Sequence, residues 1–250
     1  MLKAIICDWN RTLFPDEYEE GFFGGLCTRA FVRSLVQVQV RRTFRLMGLA
    51  QKCYRLLQRA RRDRARTPAY IAVVTALMNR YALKGLPATF IAHYVESYAR
   101  RSARRLDRRL LDPIAEVRRR HGVRVGILSS GCQSGIRRTL ELAGHEVDFI
   151  LANEFVYSGG LVDHFRITVM RNKLPLLERA LAELDVPPEQ TMYVGDSLQD
   201  EQCFRHVAHP VLSFWTRPEE RERFRDDCGA FCPPTQDDFR RYLDSLLTAG

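Results

Sequence analysis

The stretch "AIICDWNRTLF", residues 4–14, runs apolar for four residues and then stops at an aspartate. Asp8, Asn10 and Thr12 follow at intervals of two, which on an extended backbone puts all three side chains on one side. The C-terminal end of a buried strand is where open α/β sheets gather their chemistry. Taken alone, the three residues read equally well as turn and cap residues closing a strand. What decides between the readings is whether other parts of the chain arrive at the same edge.

Five apolar runs read as strands: "LKAIIC" (2–7), "VRVGIL" (123–128), "VDFILA" (147–152), "TMYV" (191–194) and "HPVLSF" (209–214). Their hydrophobicity is nearly continuous, as expected of a sheet buried on both faces. Helical patterns lie between them at 113–121, at 133–144 with Gly144 as a C-cap, and at 173–188, stopped by the two prolines that end it. This alternation predicts an α/β fold with a Rossmann-like parallel sheet. "EFVYSGGLVDHF" (154–165) predicts a β-hairpin turning at Ser158-Gly159-Gly160.

More than 100 residues separate the first strand from the second, too many for one crossover. Residues 15–111 carry apolar positions at helical spacing in "RAFVRSLVQVQVRRTFRLMGL" and "AYIAVVTALMNRYAL". They predict a helical domain inserted into a core formed by 1–14 and 112–250, with "GFFGG" (21–25) as a flexible lead-in.

At 46% hydrophobic and 28% charged, the chain has the composition of a soluble globular protein. No apolar stretch approaches the roughly 18–20 residues of a membrane span, and "AIIC" is too short for the core of a signal peptide. Seven cysteines without zinc-type pairing suit a reducing interior, and a cytoplasmic location is expected.

Of 39 basic residues only four are lysine, a ratio that arginine-favouring codons would explain. Placement is another matter. Residues 15–111 hold 20 Lys+Arg against 7 Asp+Glu, a net of +13, whereas the whole chain carries +9. In "RRSARRLDRR" (100–109) the arginine pairs recur every four residues, which on one continuous helix would line a single side. Such a segment reads either as a solvated face or as a contact for an anionic substrate, a nucleic acid or an acidic membrane surface.

Three further pieces bear on chemistry. Ser129-Ser130-Gly131 follows the second strand and precedes a helix, where small residues leave backbone N–H groups free for an anion. Lys173 opens a helix, the end at which a cation is unfavourable to the dipole. In "TMYVGDSLQD" (191–200) another buried strand ends at Gly195-Asp196. A capping box from Ser197 to Asp200 accounts for Asp200 but leaves Asp196 unexplained. Carboxylates gathered at one edge repel unless a cation sits among them, and an all-oxygen set suits Mg²⁺.

The ordered set "DWNRTL", "GILSSG", Lys173 and "VGDSLQD" resembles the four motifs of the haloacid dehalogenase-like superfamily, and the insertion sits where that superfamily carries its C1 cap. The resemblance implies that Asp8 is a nucleophile forming an aspartyl-phosphate. It implies that Thr12, Ser129, Ser130, Gly131 and Lys173 hold the phosphoryl group of a small phosphorylated substrate. Asp8, the backbone carbonyl of Asn10 and Asp196 would bind Mg²⁺, with Asp200 supporting the metal or Lys173. Glu17, nine residues after Asp8, and "VDFILANEFVYSGGLV" are similar to the phosphoserine phosphatase-like branch, in which such a glutamate contacts substrate.

One position departs from the pattern. Phosphatases of this superfamily usually carry aspartate two residues after the nucleophile, whereas this chain has Asn10. An amide donates a hydrogen bond but cannot deliver or accept a proton. Three readings stay open. The first is a phosphatase or phosphotransferase whose leaving group needs little protonation or draws its proton elsewhere, with Glu17 and His121 as candidates. The second is a C–P hydrolase similar to phosphonoacetaldehyde hydrolase, using Lys52 in the insertion. The third is a non-catalytic phosphate or polyanion binder.

Overall fold

The structure is a computed structural model describing residues 1–16, 18–37, 40–62, 67–169 and 173–248. Six strands, β1 (Ala4–Cys7), β2 (Arg124–Cys132), β3 (Phe149–Ser158), β4 (Leu161–Arg166), β5 (Thr191–Gly195) and β6 (His209–Leu212), form one sheet in the order β4-β3-β2-β1-β5-β6. Every pair is parallel except the β3–β4 hairpin. Ser158 pairs with Leu161 across Gly159-Gly160, both at positive φ, as the sequence predicts. β1 is central and buried at all four positions, in keeping with the wholly apolar "AIIC".

The helices comprise α1 (Tyr18–Val36), α2 (Val40–Arg62), α3 (Thr67–Met78), α4 (Ala88–Ser102), α5 (Arg108–His121), α6 (Gln133–Leu142), α7 (Lys173–Leu184), α8 (Glu201–His206), α9 (Pro218–Cys228) and α10 (Gln236–Thr248). α1–α4 lie between β1 and α5. The chain leaves the sheet region past Leu13 and returns at Asp107, whose N–H donates to Leu13 O at 2.9 Å. Asp107 caps α5 by accepting from Arg109 N–H and also grips the Arg109 guanidinium at 2.9 and 2.6 Å. The hairpin ties sheet to insertion: Asn79 bonds both Phe165 N–H and Phe165 O, and Val162 N–H donates to Leu86 O.

Four sequence expectations are corrected. "GFFGG" is not a flexible lead-in but part of α1. A Cβ on Gly25 would stand 2.4 Å from the Tyr94 hydroxyl, which donates to Phe22 O, so the glycine serves close helix packing. The arginine pairs at 100–109 do not share one helical side, because α4 ends at Ser102 and α5 starts at Arg108. Several are engaged within the chain: Arg100 with Glu96, Arg105 with Asp16, Arg108 with Asp112 and Arg109 with Asp107. Ser129-Ser130-Gly131 belongs to β2, which is irregular between Leu128 and Cys132, rather than to a loop. The fourth correction concerns residues 8–14 and is taken up with the site.

Candidate active site

β1 ends at Cys7, and the backbone curls at once instead of continuing extended. Thr12 N–H and Phe14 N–H both turn back to Trp9 O, and Arg11 between them has φ 49°. Asp8, Asn10 and Thr12 therefore share a tight loop, not one side of a strand. All three are buried nonetheless. Trp9, fully enclosed and stacked on Phe14, anchors the loop from below.

Parallel pairing of β1 with β5 sets Cys7 beside Val194, and Asp8 N–H donates to Val194 O at 2.8 Å. Asp196, one residue past the end of β5, thereby reaches the same edge. Asp8, Asp196 and Asp200 each offer a carboxylate oxygen within 4.8 Å of the others. Lys173 at the start of α7 enters the group, with Nζ 2.6 Å from Asp200 Oδ1 and 3.1 Å from Asp8 Oδ1. This answers why a lysine opens a helix: its charge is spent on two buried carboxylates rather than on the dipole.

Asp200 is heavily engaged. Its Oδ1 accepts from Lys173 and from the Tyr193 hydroxyl at 2.8 Å, while Oδ2 accepts from Asp196 N–H, Ser197 N–H and Ser197 Oγ–H at 3.2 Å each. Half of the expected capping box exists, the return from Asp200 to Ser197 N–H, but the first residue of α8 is Glu201 and the side chain serves the pocket. Gly195 makes room for it, since a Cβ there would lie 2.7 Å from Asp200 Cγ.

The electrostatics follow from burial. Desolvation raises Asp8 from the ordinary carboxylate range to about 7, opposed by the Lys173 charge and reinforced by Asp200. Desolvation, then Asp200 and Asp8, raises Asp196 to about 9. Burial works against the charge of Lys173, yet Asp200 and Asp8 hold it well above the usual lysine range.

Ser129 is fully buried on β2 beyond Ile127, the partner of Cys7, and therefore lies at the same edge. Its Oγ accepts from Gly131 N–H at 3.0 Å, which ties up that amide. Ser130 O accepts from Asn153 Nδ2. The Thr12 hydroxyl is buried and has no hydrogen-bond partner among the described residues. Glu17 lies outside the described residues. His121 ends α5 just before β2 starts, at the opposite edge of the sheet from Asp8, and cannot act there. Lys52 is exposed on α2.

Two contacts of this site went unread in the sequence. Arg11 Nε lies 3.5 Å from Asp196 Oδ2, its Nη2 donates to Trp215 O, and its own carbonyl accepts from Ser213 Oγ. In a chain with 35 arginines no single one draws notice. Tyr193 had a better signal, as the one side chain of "TMYV" that pairs an apolar body with a polar tip.

Three aspartates and a lysine are thus gathered, buried, at the C-terminal edge of the parallel strands. The chain matches the family of haloacid dehalogenase-like hydrolases over residues 5–205 and belongs to it. Phosphoserine phosphatase in its apo form is similar in structure, at 17% identity over 98% of each chain with a TM-score of 0.59. Cytosolic 5′-nucleotidase IIIB bound to cytidine has 16% identity over 98% of this chain and 85% of that one, with a TM-score of 0.66. A protein of unknown function from Bordetella pertussis Tohama I has 15% identity over 93% and 98%, with a TM-score of 0.64. At these identities the likeness is one of fold. No curated protein sequence matches the chain.

Proposed function

We propose that this protein is a Mg²⁺-dependent phosphatase hydrolysing a small phosphorylated substrate through a phosphoryl-enzyme on Asp8. The observation that carries the reading is the convergence of Asp8, Lys173, Asp200 and Asp196 within hydrogen-bond and metal-ligand distances. Burial first, and neighbouring carboxylates second, raise both Asp8 and Asp196, a cost that a divalent cation between them would relieve. Asp8, Asp196 and the Asn10 carbonyl would hold it. Asp200, its oxygens already committed, would orient Lys173 and the Asp196 backbone from behind. Bound there, Mg²⁺ would supply charge neutralisation for the carboxylates and the phosphoryl oxygens.

In the reaction an Asp8 carboxylate oxygen attacks phosphorus, the bond from phosphorus to the leaving oxygen breaks, and the bonding pair departs with that oxygen. Lys173 stays protonated and steadies the transferring group, while the Thr12 and Ser129 hydroxyls cradle it. Water then cleaves the acyl-phosphate, releasing inorganic phosphate and restoring Asp8. Asn10 can orient the leaving oxygen or the water but moves no proton. The favoured substrates are therefore those with acidic leaving groups, such as acyl or aryl phosphates. The insertion, residues 15–111, serves as the C1 cap over this pocket. Seven free thiols are in keeping with a cytoplasmic setting. Among the described residues no helix is long and apolar enough to cross a membrane.

The test is phosphate release from a panel of alkyl, aryl and acyl phosphates with Mg²⁺ or EDTA, using wild type and Asp8→Asn. Mg²⁺-dependent release abolished by Asp8→Asn supports the reading. No release from any activated phosphate overturns it.

A further inference from the structure

Residues 21–62, most of α1 and all of α2, contain ten arginines and lysines and no aspartate or glutamate, and of the ten Arg29 and Arg33 are turned onto Tyr94 and Phe90. The inward sides of the two helices supply Phe22, Leu26, Ala30, Leu46 and Leu49 to the core. Their outward sides are unusual for a chain in water. Val36 is 78% exposed and Phe44 69%, and Val32, Leu35, Met47 and Tyr54 are each at least half exposed. On α2, Phe44, Met47 and Tyr54 share a stripe at helical spacing, with the polar Gln51 between the last two. The exposed Lys52, Arg55 and Arg59 run beside it. Val32, Leu35 and Val36 lie at the end of α1 from which the chain passes to the start of α2, where Phe44 and Met47 stand.

We propose that this outward face of α1 and α2 docks the protein on an anionic lipid bilayer, lying in the interface without spanning it. Monomeric soluble proteins rarely expose a run of large apolar side chains of this extent. A second copy of the chain is a poor cover, because the same face would bring like charges together. A nucleic acid would satisfy the arginines but leave Val32, Leu35, Val36 and Met47 in water, since a phosphodiester backbone gives aliphatic groups no partner. An acidic bilayer satisfies both halves: the aliphatic and aromatic side chains enter the headgroup–acyl boundary, and the long basic side chains reach the phosphates beside them.

The experiment is cosedimentation of the full chain with vesicles of phosphatidylcholine alone or mixed equally with phosphatidylglycerol, at low and high salt. The expected result is binding to the mixed vesicles only, weakened by salt. Phe44→Glu combined with Met47→Glu should lower it at least tenfold with unchanged circular dichroism. Phe44→Trp, which preserves the apolar surface, should bind as wild type and show blue-shifted tryptophan emission on the mixed vesicles. Equal binding to neutral vesicles overturns the proposal, as does an unshifted Phe44→Trp emission. So does a chain that binds neither vesicle, whether or not it forms dimers by light scattering or retains a single-stranded oligonucleotide. None of these readouts depends on phosphatase activity.

Discussion

Arg11 stands beside Asp196, guanidinium Nε to carboxylate Oδ2 at 3.5 Å, in the loop that carries Asp8 and Thr12. A fixed cation next to a metal-ligand candidate competes with the metal for the same charge. Bulk water would reduce this attraction to about 1 kcal/mol, and the burial of Asp196 makes that a lower bound. Arg11→Ala should therefore tighten apparent Mg²⁺ affinity by at least about fivefold. A Mg²⁺ titration of thermal unfolding would read this without assaying turnover. Unchanged or weaker affinity would refute the competition.

Lys173 balances two buried carboxylates at once. Lys173→Met keeps much of the volume and removes the charge, leaving Asp8 and Asp200 facing each other. A loss of about 3–5 kcal/mol of stability is expected in EDTA, the usual cost of uncompensated buried charge. Chemical denaturation in EDTA measures it, with phosphate release abolished in parallel.

The pH dependence has a definite sign. Asp8 and Asp196 are raised on folding to about 7 and about 9, above their unfolded values. Their contribution to stability is complete below about pH 4 and is lost as pH rises through the folded values. Metal-free protein should thus lose stability between about pH 5 and 9. Mg²⁺, which binds the ionised form, should raise the melting temperature more at the upper end of that window. Calorimetry with Mg²⁺ or EDTA at several pH values tests both slopes. A Mg²⁺ effect that shrinks as pH rises would contradict the assignment of these two carboxylates to the metal.

Gly195→Ala should disable the pocket from beneath. The new Cβ would meet Asp200 at 2.7 Å, forcing the carboxylate that aligns Lys173 and Tyr193 to move. Overpacking of this kind costs about 1–3 kcal/mol. The activity loss should exceed what the stability loss explains, visible as a fall in kcat at temperatures well below unfolding.

Asn10→Asp would supply the missing proton carrier. General acid–base catalysis contributes about 10²–10⁴ in rate, so alkyl phosphates should gain by up to that factor. Aryl phosphates with acidic leaving groups should gain far less. Equal gains across the panel would mean that leaving-group protonation does not limit the wild type.

The strands and the hairpin were legible because burial leaves a continuous apolar signature and Gly159-Gly160 suits a tight turn, whereas the order of the strands in the sheet was not read. Asp8, Lys173 and Asp196 were legible for the opposite reason, as charges where the surrounding pattern demands none. The loop shape at Asn10–Thr12 was not, because alternation on paper cannot distinguish an extended segment from a curl held by two bonds to Trp9 O. The break at residues 103–107 was missed because arginine spacing ran unbroken across it. Only Asp107, an N-cap in the midst of arginines, marked the boundary. "GFFGG" misled because glycine records permissiveness and close contact with the same letter.

β1 lies between β2 and β5, with Ala4 paired to Arg124 on one side and Thr191 on the other. During synthesis the central strand is thus made well before either neighbour exists, and the whole insertion must be threaded out in between. Its four apolar residues wait for partners supplied late, a topology of high contact order that slows folding and leaves an adhesive segment open to chaperones. Asp8 inherits that schedule: made before β2 and β5, it is fixed in place only once β5 has closed beside it.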